Sequence, residues 1–253
     1  MRFASLGSGS KGNATLVATA STLLMIDCGF SARQVALRME RLGVRPEQLD
    51  AILVTHEHSD HSTGVAGLSR KYKVPVYMTH GTASTGRISD PHSVVCFNAG
   101  SDFVIGDIDV TAVPVPHDAR EPCQFRLASN ECSLGVLTDL GSITTHVVDS
   151  YRDCDAMLLE FNHDVGMLES GDYPVALKHR VGGDWGHLNN EQAAGFLQAI
   201  DSQRLRHLAV AHISENNNCR EKAEQALWSV FEPDDERVVW AEQATGFDWL
   251  QLG

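Results

Sequence analysis

The chain has 253 residues, 43% apolar and 21% charged, with 21 glycines and a formal net charge of −13 at pH 7. This is enough chain for one shared hydrophobic framework, so a single domain over residues 1–253 is expected, and the composition excludes disordered and collagen-like classes. The acidic balance argues against a generally basic nucleic-acid-binding surface, with the proviso that carboxylates facing cations account for part of it and that attraction depends on local charge. The six cysteines are scattered without a Cys-x-x-Cys pair, which excludes a zinc ribbon and suits a reducing compartment. The start, Met1 to Gly7, has no apolar stretch typical of a secretory leader, and the apolar runs are too short to span a bilayer, so a cytoplasmic protein without membrane association is expected.

In chain order, apolar runs separated by glycine or polar turns predict strands at 2–6, 14–19, 22–27 and 51–55. A helical pattern carrying Val35, Leu37, Met39 and Leu42 follows Ser31, with Gly43 as its stop, and a second helix is predicted over 62–71. Further strands are predicted at 74–78, 93–97, 103–105, 108–113, 124–127, 133–138 and 155–160. The last third alternates: helix 189–200, strand 208–212, helix 220–230, then strands 238–240 and 247–250. Helices and strands interleave in both halves, which predicts an α/β fold of two face-to-face sheets with helices outside. No repeat at solenoid periods is visible.

The buried strand Ala51-Ile52-Leu53-Val54 runs directly into Thr55-His56-Glu57-His58-Ser59-Asp60-His61, which places four potential ligands within six residues. Imidazole and carboxylate together suit Zn, Mn or Fe, and alternate side chains at a strand end can converge on one ion while the following turn serves a second. A two-metal site needs more ligands, and isolated candidates sit after other predicted strands. These are His117 behind Pro114-Val115-Pro116, Asp139 after Leu134 to Thr138, and His212 after Leu208 to Ala211. Two more histidines stand in Phe161-Asn162-His163-Asp164 and Trp185-Gly186-His187-Leu188-Asn189-Asn190, where a helix N-cap explains an asparagine but neither histidine.

On these residues the sequence resembles the metallo-β-lactamase superfamily, whose His-x-His-x-Asp-His signature is matched by His56, His58, Asp60 and His61. The resemblance spans the chain and implies a four-layer αββα sandwich of two mixed β-sheets flanked by helices. It also implies two divalent ions, one held by His56, His58 and His117, the other by Asp60, His61 and His212, with Asp139 bridging and Asp27 orienting a ligand. Water deprotonated between the cations would be the nucleophile. The chain is most similar to the YycJ-like branch, related to tRNase Z-type phosphodiesterases, through Ser8-Gly9-Ser10-Lys11-Gly12-Asn13, His117-Asp118-Ala119, Asn162-His163-Asp164, Gly186-His187-Leu188 and His212-Ile213-Ser214.

That resemblance implies a DNA exonuclease acting from the 5′ end, with Asp60, His163 and His187 as catalytic residues and the two histidines as acid and base in either order. The first histidine loop reads Asn162-His163-Asp164 where tRNase Z has His-Glu-Ala-Thr, and Asn189 stands where the branch often has serine. Phosphate contacts are expected from Ser10, Lys11 and Asn13 of the glycine-rich segment, from Asn162, and from Lys178 in Lys178-His179-Arg180. The alternative is a small-molecule hydrolase of a thioester, lactone or cyclic phosphodiester using the same metals, a reading kept open by the acidic balance.

Overall fold

The computed structural model describes residues 1–200 and 202–253. The first half builds one sheet from β1 (Arg2–Gly7), β2 (Ala14–Ala18), β3 (Leu23–Ile26), β4 (Ala51–Leu53), β5 (Val76–Thr79) and β6 (Val94–Phe97). The second half builds another from β7 (Asp102–Ile105), β8 (Ile108–Pro114), β9 (Cys123–Ser129), β10 (Cys132–Leu137), β11 (Ala156–Glu160), β12 (His207–Ala211) and β13 (Val238–Trp240). The last strand, β14 (Phe247–Gln251), returns to the first sheet beside β1.

Both sheets have the same pattern. In the order β14-β1-β2-β3-β4-β5-β6 the first three pairings are antiparallel and the last three parallel, and β7-β8-β9-β10-β11-β12-β13 repeats this. In consequence β3, β4 and β5 correspond to β10, β11 and β12. Ligands of open parallel sheets gather beyond the carboxyl ends of such strands, and every site residue described below follows one of these ends or the loops beside them.

The central strands are buried on both faces, so their side chains alternate between two cores. Leu24 and Ile26 of β3 enter the layer between the sheets with Phe3, Phe125 and Leu158, whereas Leu23 and Met25 face outward. The outward face of the first sheet packs against α1 (Ala32–Arg41), through Val35 and Met39, and α3 (Val65–Tyr72), through Val65 and Leu68. That of the second packs against α5 (Thr145–Tyr151), α8 (Asn190–Ala199) and α9 (Arg220–Leu227), with Tyr151, Phe196 and Leu227 buried. Three apolar layers therefore make the expected four-layer sandwich. Among the described residues no helix is long and apolar enough to cross a membrane.

The helix predicted over 62–71 is two pieces, α2 (Ser59–Ser62) and α3, broken at Gly64. A Cβ on Gly64 would stand 1.9 Å from the Phe30 carbonyl oxygen, so the chain can pass there only as glycine. Four short helices were not predicted: α4 (His80–Ser84), α5, α6 (Val165–Ser170) and α7 (Val175–Val181). Each is two turns or fewer, too short to show an apolar period, and α7 buries none of its residues.

Candidate functional site

The turn after β4 is held in shape before any ligand is considered. Asp27, directly after β3, accepts from the Thr55 amide (2.9 Å) and the Thr55 hydroxyl (2.8 Å), and His61 Nδ1 donates to the same carboxylate at 2.8 Å. Behind it the Asn13 amide donates to Asp60 O at 2.8 Å and the Cys28 amide to His61 O at 2.7 Å. Gly29 passes so close that a Cβ would lie 1.8 Å from Asp60 O. Two strand-end loops therefore brace the His56–His61 turn through its backbone.

The seven residues expected as ligands converge. His56, His58 and His117 form one group, and Asp60, His61, Asp139 and His212 a second, each offering atoms within 4.8 Å of one another. A further group, Glu160, His187 and His212, shares a member with the second. In four of the five imidazoles Nδ1 is engaged on the side away from the cluster: Thr55 Oγ1 at His56 (2.9 Å), Asp27 at His61, the Gly186 carbonyl at His117 (3.0 Å) and Glu160 at His212 (3.4 Å). That arrangement leaves Nε2 presented with its lone pair, as metal-binding histidines require. His58 is reversed, with Nδ1 3.2 Å from His117 Nε2 and Nε2 3.7 Å from Asp118. Among the described residues, buried His56 Nε2, His212 Nε2 and Asp139 Oδ2 have no hydrogen-bond partner. Orphaned buried atoms of this kind are costly, and the mixture of imidazole and carboxylate around them fits a divalent cation.

The two groups differ in charge preference. Burial holds the pKa of His56 well below its ordinary value and lowers that of His117. Burial acts the same way on His61 and His212, but is outweighed by neighbouring carboxylates. Asp139, Asp60 and Asp27 carry His61 well above its ordinary value, and Asp139, Asp60 and Glu160 carry His212 up to about 10. In return, against the opposing effect of burial, the imidazoles hold Asp60 and Asp139 well below the usual carboxylate range. The second group is thus a nest for positive charge, which protons fill when no metal does.

Loading metal into chelator-stripped protein at pH 7 is therefore expected to release about two protons, from His61 and His212, with apparent affinity rising about a hundredfold per pH unit between roughly pH 7 and 9. Calorimetry in buffers of different ionisation enthalpy reads the count. Release of none would mean that these imidazoles are neutral in the stripped protein. The stabilisation the His212 charge lends that protein is complete below its ordinary value of 6.5 and is lost as pH rises through about 10.

The other expected residues are distributed unevenly. His187 lines the ligand pocket, a cavity of about 430 Å³ that also has Ser10, Arg87, Tyr173 and Arg180 on its walls. His163 does not line it. It is 2% exposed and lines a separate cavity with Lys178, so the two histidines expected to work as a pair line different cavities, to both of which α7 contributes. Asn162 is buried, its side-chain amide donating to His212 O at 3.0 Å and its backbone amide to Leu188 O at 3.2 Å.

The glycine-rich segment satisfies itself. Asn13 Oδ1 accepts from the Gly9 amide (2.8 Å) and the Ser8 hydroxyl (3.0 Å), the Lys11 amide donates to Gln243 (2.8 Å), and Gly12 N bonds to Gly9 O (3.1 Å). The amides of Ser8, Gly9, Lys11, Gly12 and Asn13 are thus taken, and the Lys11 ammonium pairs with Glu215 at 2.5 Å. The segment serves as a brace: Asn13 Nδ2 lies 3.2 Å from His61 Nε2, and Ser8 Oγ accepts from the His212 amide at 3.0 Å.

Glu160 was read from the sequence only as the end of a strand. It is fully buried, and its carboxylate takes His187 Nδ1 (3.1 Å), His212 Nδ1 (3.4 Å) and the amides of Leu140 (2.9 Å) and Leu188 (3.1 Å). Burial alone would raise its pKa, but the two histidine hydrogen bonds bring it to about 2. Because an ionised carboxylate can only accept, Nδ1 of both histidines must carry the proton. A signal was available: the apolar run of β11 ends on a lone acid, as do those before Asp27 and Asp139. Arg87 and Tyr173 gave no signal, being single residues in turns that only the fold brings to the pocket.

With this geometry in place, comparison with known proteins is decisive. Residues 22–213 match the beta-lactamase superfamily domain. The chain belongs to this superfamily. Among curated relatives of the superfamily, "Exodeoxyribonuclease WalJ" of Streptococcus pneumoniae serotype 2 is 34% identical over 233 residues, covering 89% of this chain and 86% of the relative. "Exodeoxyribonuclease YycJ" of Bacillus anthracis is 34% identical over 237 residues, covering 92% and 89%. The metallo-β-lactamase fold protein YhfI of Bacillus subtilis superposes with a TM-score of 0.76 at 17% identity, covering 98% of each chain, which establishes the fold. The chain is a metallo-β-lactamase-fold, metal-dependent hydrolase.

Proposed function

We propose that this hydrolase is a DNA exonuclease, a phosphodiesterase acting from the 5′ end with two divalent cations. The observation that carries the reading is the position of Arg87 and Arg180 on the walls of the ligand pocket in a chain whose net charge is −13. Cationic side chains at the reacting centre favour a phosphate substrate over a neutral thioester or lactone, and answer the objection raised by the acidic balance, since steering follows local potential. Similarity over about nine-tenths of the chain to proteins named exodeoxyribonucleases supports the same substrate.

In this reading His56, His58 and His117 would hold one cation and Asp60, His61, Asp139 and His212 the other; the metal, when bound, would acidify water and neutralise charge on the phosphoryl group. The protein's own groups do the rest. Glu160 fixes the His187 ring through Nδ1, so Nε2 is the atom that would deliver a proton to the leaving oxygen, whose departure as an alkoxide would otherwise be slow. Arg180 is held by Asp118 and orients the diester from the α7 side, with Arg87 also on the pocket wall. Deep burial of His61, Asp139 and His212 keeps bulk water from their polar atoms.

The test offers protein loaded with Mn or Zn to end-labelled single-stranded and duplex DNA, to RNA and to a thioester. Chelator-sensitive loss of nucleotides from DNA 5′ ends is expected, with Asp60→Ala lowering the rate by about a thousandfold through loss of a ligand. A metal-loaded protein inert toward nucleic acids but active on the thioester would replace this reading with the small-molecule alternative.

A further inference from the structure

α7 walls two cavities. Leu177, Arg180 and Val181 face the ligand pocket, whereas Val175, Lys178, His179 and Gly182, one helical stripe away, line a second cavity of about 570 Å³. Across it stand Val165 and Leu168 of α6, with His163 alongside. The His163 imidazole is 2% exposed and its Nδ1 has no hydrogen-bond partner. Its Nε2 faces Gly182, where a Cβ would come within 3.8 Å. Burial pushes this ring's pKa down to about 4, so at neutral pH it offers one donor and one acceptor and no charge. Glu169 is the one carboxylate in the lining, and its backbone carbonyl accepts from Lys178 Nζ at 2.7 Å.

The geometry points to a second nucleotide-binding subsite in this cavity. Val165, Leu168 and Val175 provide an apolar wall for the face of a base, the unpartnered imidazole of His163 meets a polar edge, and the basic side chains of Lys178 and His179 receive a phosphate. The volume falls in the range of small-ligand pockets, and a mostly apolar lining with a few convergent polar groups is their usual composition. Because α7 is shared, a strand entering the ligand pocket can turn around one exposed helix and place a neighbouring nucleotide here. The inference rests on the nuclease reading, and the nucleotide has two sources: a unit of the substrate strand, or a free mononucleotide.

The probes are oligodeoxynucleotides carrying photoreactive 4-thiothymidine at one of the first four positions in turn, and 4-thiothymidine 5′-monophosphate alone. One strand position is expected to crosslink to the peptide spanning 163–182. Val175→Glu, a change at a residue 67% exposed, and Gly182→Leu, which fills the cavity, are expected to cut that yield and raise KM for the strand, each about tenfold. Labelling by the mononucleotide alone would assign the subsite to free nucleotide. Crosslinks confined to other peptides, or yields unchanged in both variants, would overturn it. Wild-type protein that crosslinks here without degrading DNA would overturn the nuclease reading and leave the subsite standing; degradation without a crosslink would do the reverse.

Discussion

Glu160→Gln is expected to lower turnover on DNA about a thousandfold while leaving the fold intact, because in the proposed function one change disturbs both the proton donor His187 and the metal ligand His212. The glutamine oxygen can still accept from the Leu140 and Leu188 amides, which fixes its orientation and places the NH₂ where the second carboxylate oxygen now meets His187 and His212. Facing a donor, both rings must present Nδ1 as an acceptor, which moves the proton of each neutral imidazole to Nε2. At His212 that proton blocks the orphaned Nε2, and at His187 the ring loses the acceptor that orients it. Elemental analysis after dialysis is expected to show depleted metal, and saturating metal to restore occupancy without restoring turnover. Full recovery at high metal would confine Glu160 to ligand placement and remove His187 from the chemistry. Full activity without added metal would sink both roles.

The readable part of the site was the part encoded locally. His56 to His61 lie on one turn after an apolar strand, and His117, Asp139 and His212 each follow a strand end, so periodicity plus ligand chemistry was enough to find them. The two-sheet sandwich was likewise legible, because strands buried on both faces appear as continuous apolar runs such as Leu23 to Ile26. What the sequence withheld depends on register across the sheets. His163 and His187 look alike in sequence, each in a polar stretch after or before a regular element. The backbone bridge between His163 and Asn189 and the course of α7 leave one ring in each of two cavities that share this helix.

The glycine-rich segment depends on distant partners in a related way. Glycines and a lysine suit an anion cradle, but whether the amides are free depends on partners as distant as Gln243 and Asp60. Glu160 illustrates the opposite case. Its importance comes from two histidines 27 and 52 residues away, yet an acid closing a buried strand is unusual enough to question, since an unpaired buried carboxylate would not be tolerated.

Asp27→Ala is expected to destabilise the metal-free protein by on the order of 5 kcal/mol, a drop in Tm of roughly 10–20 °C for a chain of this size. Two separable effects contribute. The carboxylate serves the Thr55 amide, the Thr55 hydroxyl and His61 Nδ1, all buried, and each donor left unpaired costs roughly 1–3 kcal/mol. The backbone is also left-handed there, with φ of 57°, a conformation that costs a residue such as alanine about 1 kcal/mol more than aspartate or asparagine. Asp27→Asn isolates the first effect: it keeps the backbone preference and one accepting oxygen, so roughly half of the loss is expected. Asp139 ends the corresponding strand of the other sheet with φ of 53°. There the same conformation carries a carboxylate with an orphaned oxygen into the ligand cluster. The two aspartates thus occupy equivalent strand ends and perform opposite tasks, one spent on bracing the turn and one left open to cations. Equal Tm losses for Asp27→Asn and Asp27→Ala would assign the cost to the hydrogen bonds alone.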